Sequence, residues 1–156
     1  MRPEQQDGMF VRSPRLVASG PIALLGEAHS LGPVVLAWDR VLRDAQRPRD
    51  GHNLVYHEFA HKLDMLDGDA DGTPPLATRE QRRRWQEVCE AAFLDLRERK
   101  SRGQQTFIDE YGATNEAEFF AVVTEHFFDQ PTALRREEPA LYDVLREFYR
   151  QDPAAS

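Results

Sequence analysis

From His52 to Leu66 the chain contains no proline or glycine, and Leu54, Val55, Phe59, Leu63 and Leu66 recur at helical spacing, so the stretch predicts a helix closed by Asp67-Gly68. This helix carries His57-Glu58-Phe59-Ala60-His61. On a helix, residues four apart share a face with Cβ atoms about 5–6 Å apart. Two imidazoles so placed can reach one ion at the roughly 2.0–2.1 Å of a zinc–nitrogen bond. Glu58 is offset around the helix and can face a water on the ion. His57 and His61 are therefore candidate ligands and Glu58 a candidate general base, taking a proton from water as it attacks a carbonyl carbon and passing it to the leaving amine. With this chain's His and Glu content, the pattern would arise by chance with a probability on the order of one in a hundred. Apolar neighbours, Leu54, Val55, Phe59, Ala60 and Leu63, predict a site shielded from water.

A catalytic zinc takes three protein ligands and keeps one position open. His126, Glu116, Glu118 and Glu125 are downstream candidates for the third, and spacing alone does not choose among them. Glu118 also fits a capping box with Asn115 at the start of its helix. Asp64, three residues after His61, reads either as a group orienting that histidine or as a carboxylate of the helix's last turn. His29 and His52 read as ordinary polar residues.

Residues 1–15 read as poorly ordered. Two strands are predicted, Leu16 to Leu25 and Gly32 to Trp38, then a short helix capped by Asp39 and running to Ala45. After the turn-rich loop 67–75, Thr78 caps a helix to about Lys100 with Trp85, Val88, Cys89, Ala92, Phe93 and Leu96 on one face. Residues 101–114 read as a polar connection. A nearly all-apolar helix opens at Asn115 and stops before Pro131, and a last one spans Glu138 to Tyr149. The expected fold is α+β and helix-dominated: one domain over residues 1–156, with a small sheet whose Gly32 to Trp38 strand lies near the HExxH helix. By analogy with zincins, that strand's edge could pair with an extended peptide, and Leu36 and Trp38 read equally well as core residues.

A net charge of −7, spread along the chain, argues against nucleic acid, which needs a basic face. Arg82-Arg83-Arg84 reads as a solvated helix face. No apolar run approaches the roughly 20 residues that cross a membrane, and residues 1–20 have no signal-peptide core. The single cysteine, Cys89, reads as a buried apolar side chain. A cytoplasmic location is expected.

Four stretches, GPVVLAWD (Gly32–Asp39), GHNLVYHEFAHKLDMLDGD (Gly51–Asp69), DEYGATNEAEFFAVVTEHFF (Asp109–Phe128) and LYDVLREFYRQDP (Leu141–Pro153), resemble the Mlc titration factor A family of zinc-dependent peptidases. The resemblance implies a zincin-like site with one Zn2+ on His57, His61 and Glu118, Glu58 as base, and Tyr111 as a hydroxyl for the oxyanion. It further implies a peptide substrate, aminopeptidase action, and a partner of the Mlc repressor type. Only 31 residues precede Gly32, fewer than such proteins usually carry there, so part of the family's N-terminal portion is expected to be absent. An alternative reading is a regulatory protein that sequesters a repressor and keeps its zinc for structure.

Overall fold

The computed structural model describes the backbone of residues 26–28 and residues 33–156 in full; the predicted strand Leu16 to Leu25, residues 1–15 and His29 lie outside these. Strand β1 (Gly26–Ala28) pairs antiparallel with β2 (Val34–Leu36), Glu27 opposite Val35. Among the described residues, the β structure is this one ribbon. It lies against the HExxH helix, where the small sheet was expected.

Among the described residues, six α-helices joined by loops and short 3-10 turns follow. Helix α1 spans Trp38–Gln46 and starts two residues earlier than predicted: Ala37 stands at the cap and Asp39 in the first turn. Trp38 is thus helical, and at 71% exposed it is not a core residue. Helix α2 is Leu54–Asp64, shorter than predicted at both ends. Asn53 caps it, its side chain accepting the Tyr56 N–H, which leaves His52 outside. At the other end Met65–Asp67 tighten into a 3-10 turn, and Gly68 at φ +103° closes it.

Helix α3, Arg79–Ser101, opens with a full capping box between Thr78 and Gln81. Its Arg83 pairs with Glu80 and Glu87, and Arg84 with Glu147, the solvated face expected of that run. Helix α4 is Glu116–Asp129. Pro131 does not end helical structure; it occupies the first turn of α5 (Pro131–Glu137), where its missing N–H costs nothing. Helix α6 is Pro139–Tyr149.

Helix α4 is the axis of the core, as a helix apolar on every side must be. Every residue from Phe119 to Phe127 is buried. Trp85 of α3 meets Phe120 edge-on, and Phe127 stacks on Tyr149 of α6 with centroids 5.4 Å apart. Burying each such ring contributes roughly 1.5–3 kcal/mol. Cys89 packs half-buried against this cluster, and burial pushes its thiol up to about 12, so it behaves as the apolar residue expected. The main partner of α4 is α2, and that contact brings the HExxH helix onto the carboxylates of α4.

Two glycines set the approach of α4 to its neighbours. Gly72, at φ +78°, lies so close to the start of α4 that a Cβ would come within 2.4 Å of the Glu116 carbonyl oxygen. Its N–H donates to Asp64 Oδ2 at 2.8 Å and its carbonyl accepts the Trp85 indole N–H at 3.0 Å. Asp64, wholly buried in the last turn of α2, therefore anchors the 67–75 loop. Gly51, at φ +83°, lies against the His126 imidazole, 2.8 Å from where its own Cβ would be.

Candidate metal centre

The lower turns of α2 and the first turns of α4 bring three donor atoms together. His57 Nε2 and His61 Nε2 are 3.2 Å apart, and Glu118 Oε2 lies 3.0 Å from the first and 3.3 Å from the second. A tetrahedral ion with bonds of about 2.0–2.1 Å holds its ligands about 3.3–3.4 Å apart. The three atoms thus fit the vertices of such a site, and among the described residues this is the one such cluster of three.

Sequence left four candidates beside the histidine pair, and the structure separates them. Asn115 accepts the Glu118 N–H at 2.8 Å, but the Glu118 side chain turns to the histidines instead of completing the predicted capping box. Glu125 lies behind His57: its Oε1 is 2.6 Å from His57 Nδ1, and its Oε2 accepts the Asn53 N–H at 2.6 Å. A carboxylate on Nδ1 keeps that nitrogen protonated and turns the Nε2 lone pair toward an ion. Glu116 is exposed and lines an open cleft of about 340 Å3 beside His61 and Glu118. His126 is buried and bonded elsewhere. That Glu125 shares a face with Glu118 was readable, since it follows by seven residues, two helical turns; which of the two faces the ion was not.

The electrostatics are those of a site built for a cation. Burial alone would lower the His57 pKa, but Glu118 and Glu125 outweigh it and raise it to about 9. Burial would raise Glu118, yet hydrogen bonds from the two imidazoles hold it at about 2. A bound cation would take the place of the proton that His57 otherwise carries between these carboxylates.

Glu58 is 6% exposed, and burial pushes its carboxyl pKa up while His57 and His61 pull it down. Tyr111 lies on a 3-10 turn, Glu110–Ala113, with its ring centroid 6.1 Å from that of His57. Burial and the Glu118 carboxylate both push its pKa up. Phe59, predicted to shield the site, is 53% exposed instead, because α2 presents Glu58 and Ala60 to the interior and Phe59 outward. Tyr111 is similarly open to solvent.

Residues 6–150 match the family described as glucose-regulated metallo-peptidase M90. The chain belongs to the M90 metallopeptidase family. Its relatives include the Mlc titration factor A of Serratia proteamaculans, 40% identical over 145 residues, which span 90% of this chain and 53% of the relative. The Mlc titration factor A of Edwardsiella ictaluri is 42% identical over 141 residues, 88% of this chain and 53% of that one. An uncharacterised protein of Synechocystis sp. is 44% identical over 122 residues, 78% of this chain and 44% of the relative. The chain thus spans about half the length of the curated relatives it matches. Membership of M90 agrees with the resemblance read from the HExxH and Asp109–Phe128 stretches. Among the described residues, no helix is long and apolar enough to cross a membrane.

Proposed function

We propose that the chain hydrolyses peptide bonds through a zinc ion held by His57, His61 and Glu118, with Glu58 as general base. The observation that carries this reading is the convergence of the three donors at 3.0 to 3.3 Å beside a buried Glu58. Two imidazoles and one carboxylate suit zinc better than magnesium or calcium. When bound, zinc lowers the pKa of a water and polarises the substrate carbonyl. Glu58 accepts the proton of the attacking water and delivers it to the departing amine. Its raised pKa suits both halves of that exchange. Tyr111, whose ring lies 6.1 Å from that of His57, donates its hydroxyl to the oxygen on which negative charge develops.

The substrate is a peptide in extended form. Among the described residues β2 has β1 on one side only, which supports main-chain pairing of a peptide along its other edge. Aminopeptidase action requires a carboxylate to receive the substrate's free amino group, and Glu116, in the cleft beside His61 and Glu118, suits that role. The whole acts as a single zincin-like catalytic domain, in the cytoplasm. The name of the relatives supports a second reading, in which the chain binds a repressor of the Mlc type.

Glu58→Gln tests the leading reading. Wild type is expected to cleave unblocked peptides faster than N-acetylated ones, and Glu58→Gln to keep equimolar zinc and lose turnover. Equal turnover in the two proteins would refute the role of Glu58 and favour the binding protein.

A further inference from the structure

Behind the metal cluster runs a second polar chain that the reaction itself does not use. Gln130, at the end of α4, donates its amide to the Arg49 carbonyl at 2.9 Å. Its Oε1 lies 3.0 Å from His126 Nδ1. His126 Nε2, on the other side of the ring, takes the Asp109 N–H at 3.2 Å. Asp109 Oδ1 in turn accepts the Tyr111 N–H at 2.8 Å, opening the 3-10 turn that carries the tyrosine.

Each role along this chain is forced. The Arg49 carbonyl can only accept, so Gln130 must turn its NH2 group to it and its oxygen to His126. The Asp109 N–H can only donate, so Nε2 must be bare and the imidazole proton must sit on Nδ1. The ring is 4% exposed, with Phe107 4.9 Å away between centroids and Gly51 against its edge where no Cβ would fit. A histidine whose orientation and tautomer are both fixed is more than filler for a core that elsewhere uses phenylalanine.

We propose that His126 is a positioning residue for Tyr111: through the Asp109 amide it fixes the turn that holds the phenol over the metal cluster. The proposal rests on the reading of Tyr111 as the oxyanion donor. Its structural half, that His126 orders the Asp109–Tyr111 turn, stands apart from any activity.

His126→Phe keeps a ring and removes both hydrogen bonds, whereas His126→Gln restores an acceptor near the position of Nε2. Amide hydrogen exchange is measured in wild type and both variants, with zinc content and peptide turnover alongside. In His126→Phe the Asp109 and Tyr111 amides are expected to exchange faster, with zinc content unchanged. The turnover number should fall by about 10- to 100-fold, the scale of a misplaced catalytic group, with KM nearly constant. His126→Gln should recover most of both effects. In a Tyr111→Phe background the further loss on His126→Phe should vanish. Unchanged exchange at Asp109 and Tyr111, or losses that multiply independently in the double variant, would overturn the proposal. Should His126→Phe not fold, Gln130→Met keeps the imidazole and removes its Nδ1 partner along with the bond to the Arg49 carbonyl; faster exchange at the same two amides is expected, and no change refutes the relay. Wild-type protein without peptidase activity would sink the proposed function, and exchange alone would then decide the positioning claim.

Discussion

Glu125 ties His57 to the start of the helix that bears it: one carboxylate oxygen lies 2.6 Å from His57 Nδ1 and the other accepts the Asn53 N–H at 2.6 Å. The same side chain thus fixes the ring's tautomer and the seat of α2 on α4. The negative carboxylate also sits at the N-terminus of α2, where unpaired amides and the helix dipole favour it.

Removing that carboxylate should weaken the metal site without touching a ligand. Glu125→Ala is expected to lower zinc affinity by about 10- to 100-fold, the usual cost of losing a group that orients a ligand histidine. Glu125→Gln, which can still accept one hydrogen bond, should fall between. Competition with a chromogenic chelator reads both; equal affinity in Glu125→Ala and wild type would show that His57 needs no such partner.

Metal uptake should release a proton. Metal-free His57 titrates at about 9, because Glu118 and Glu125 outweigh the burial that would lower it. At pH 7 it is therefore protonated, and an ion can bind only the neutral imidazole. Apparent affinity should rise about tenfold per pH unit from pH 7 to 8 and level off above about 9. Calorimetry in two buffers of different protonation enthalpy should show close to one proton released at pH 7. A heat that does not depend on buffer would mean that His57 is already neutral.

The Gly72 peptide is expected to be intolerant of any side chain. A methyl group there meets the Glu116 carbonyl at 2.4 Å and the backbone at φ +78° disfavours an L-residue. Since backbone cannot swing away as a side chain does, Gly72→Ala must push the first turn of α4 off the loop, at a cost of about 1–3 kcal/mol. Glu118 rides on that turn, so zinc affinity should fall together with the melting temperature. Unchanged values of both would mean that the loop gives way instead.

Helix α2 and its chemistry were legible because three signals coincide there: no helix breaker, apolar spacing, and two histidines four apart. The cap at Asn53 was less visible, since His52 is an acceptable helix residue until Asn53 accepts the Tyr56 N–H. Helix α5 was missed because Pro131 was read as a stop, although proline is as suitable at the first turn of a new helix. Phe59 misled because an apolar residue in a helical pattern was assigned to the interior, whereas α2 buries only part of its surface. The choice of Glu118 over Glu125 depends on how far α2 slides along α4, a tertiary quantity that no local spacing encodes.

Asp129 gives a test of stability separate from catalysis. Burial is the chief cause of its raised pKa, with Asp50, Glu125 and Asp44 adding repulsion and an Asn53 hydrogen bond opposing, to a value of about 6. The folded state therefore binds this proton more tightly than the unfolded chain, where an aspartate titrates near 3.8. Stability from the protonated form is fully present below that unfolded value and is lost as pH rises through about 6. An amide in place of this carboxyl carries no charge at any pH, so Asp129→Asn should melt near the wild-type temperature at pH 4 and above it at pH 8. Thermal unfolding of the two proteins across that range measures the difference. A gap that stays constant with pH would mean that Asp129 is paired or hydrated in the folded chain, and that the carboxylates around the start of α2 do not repel it.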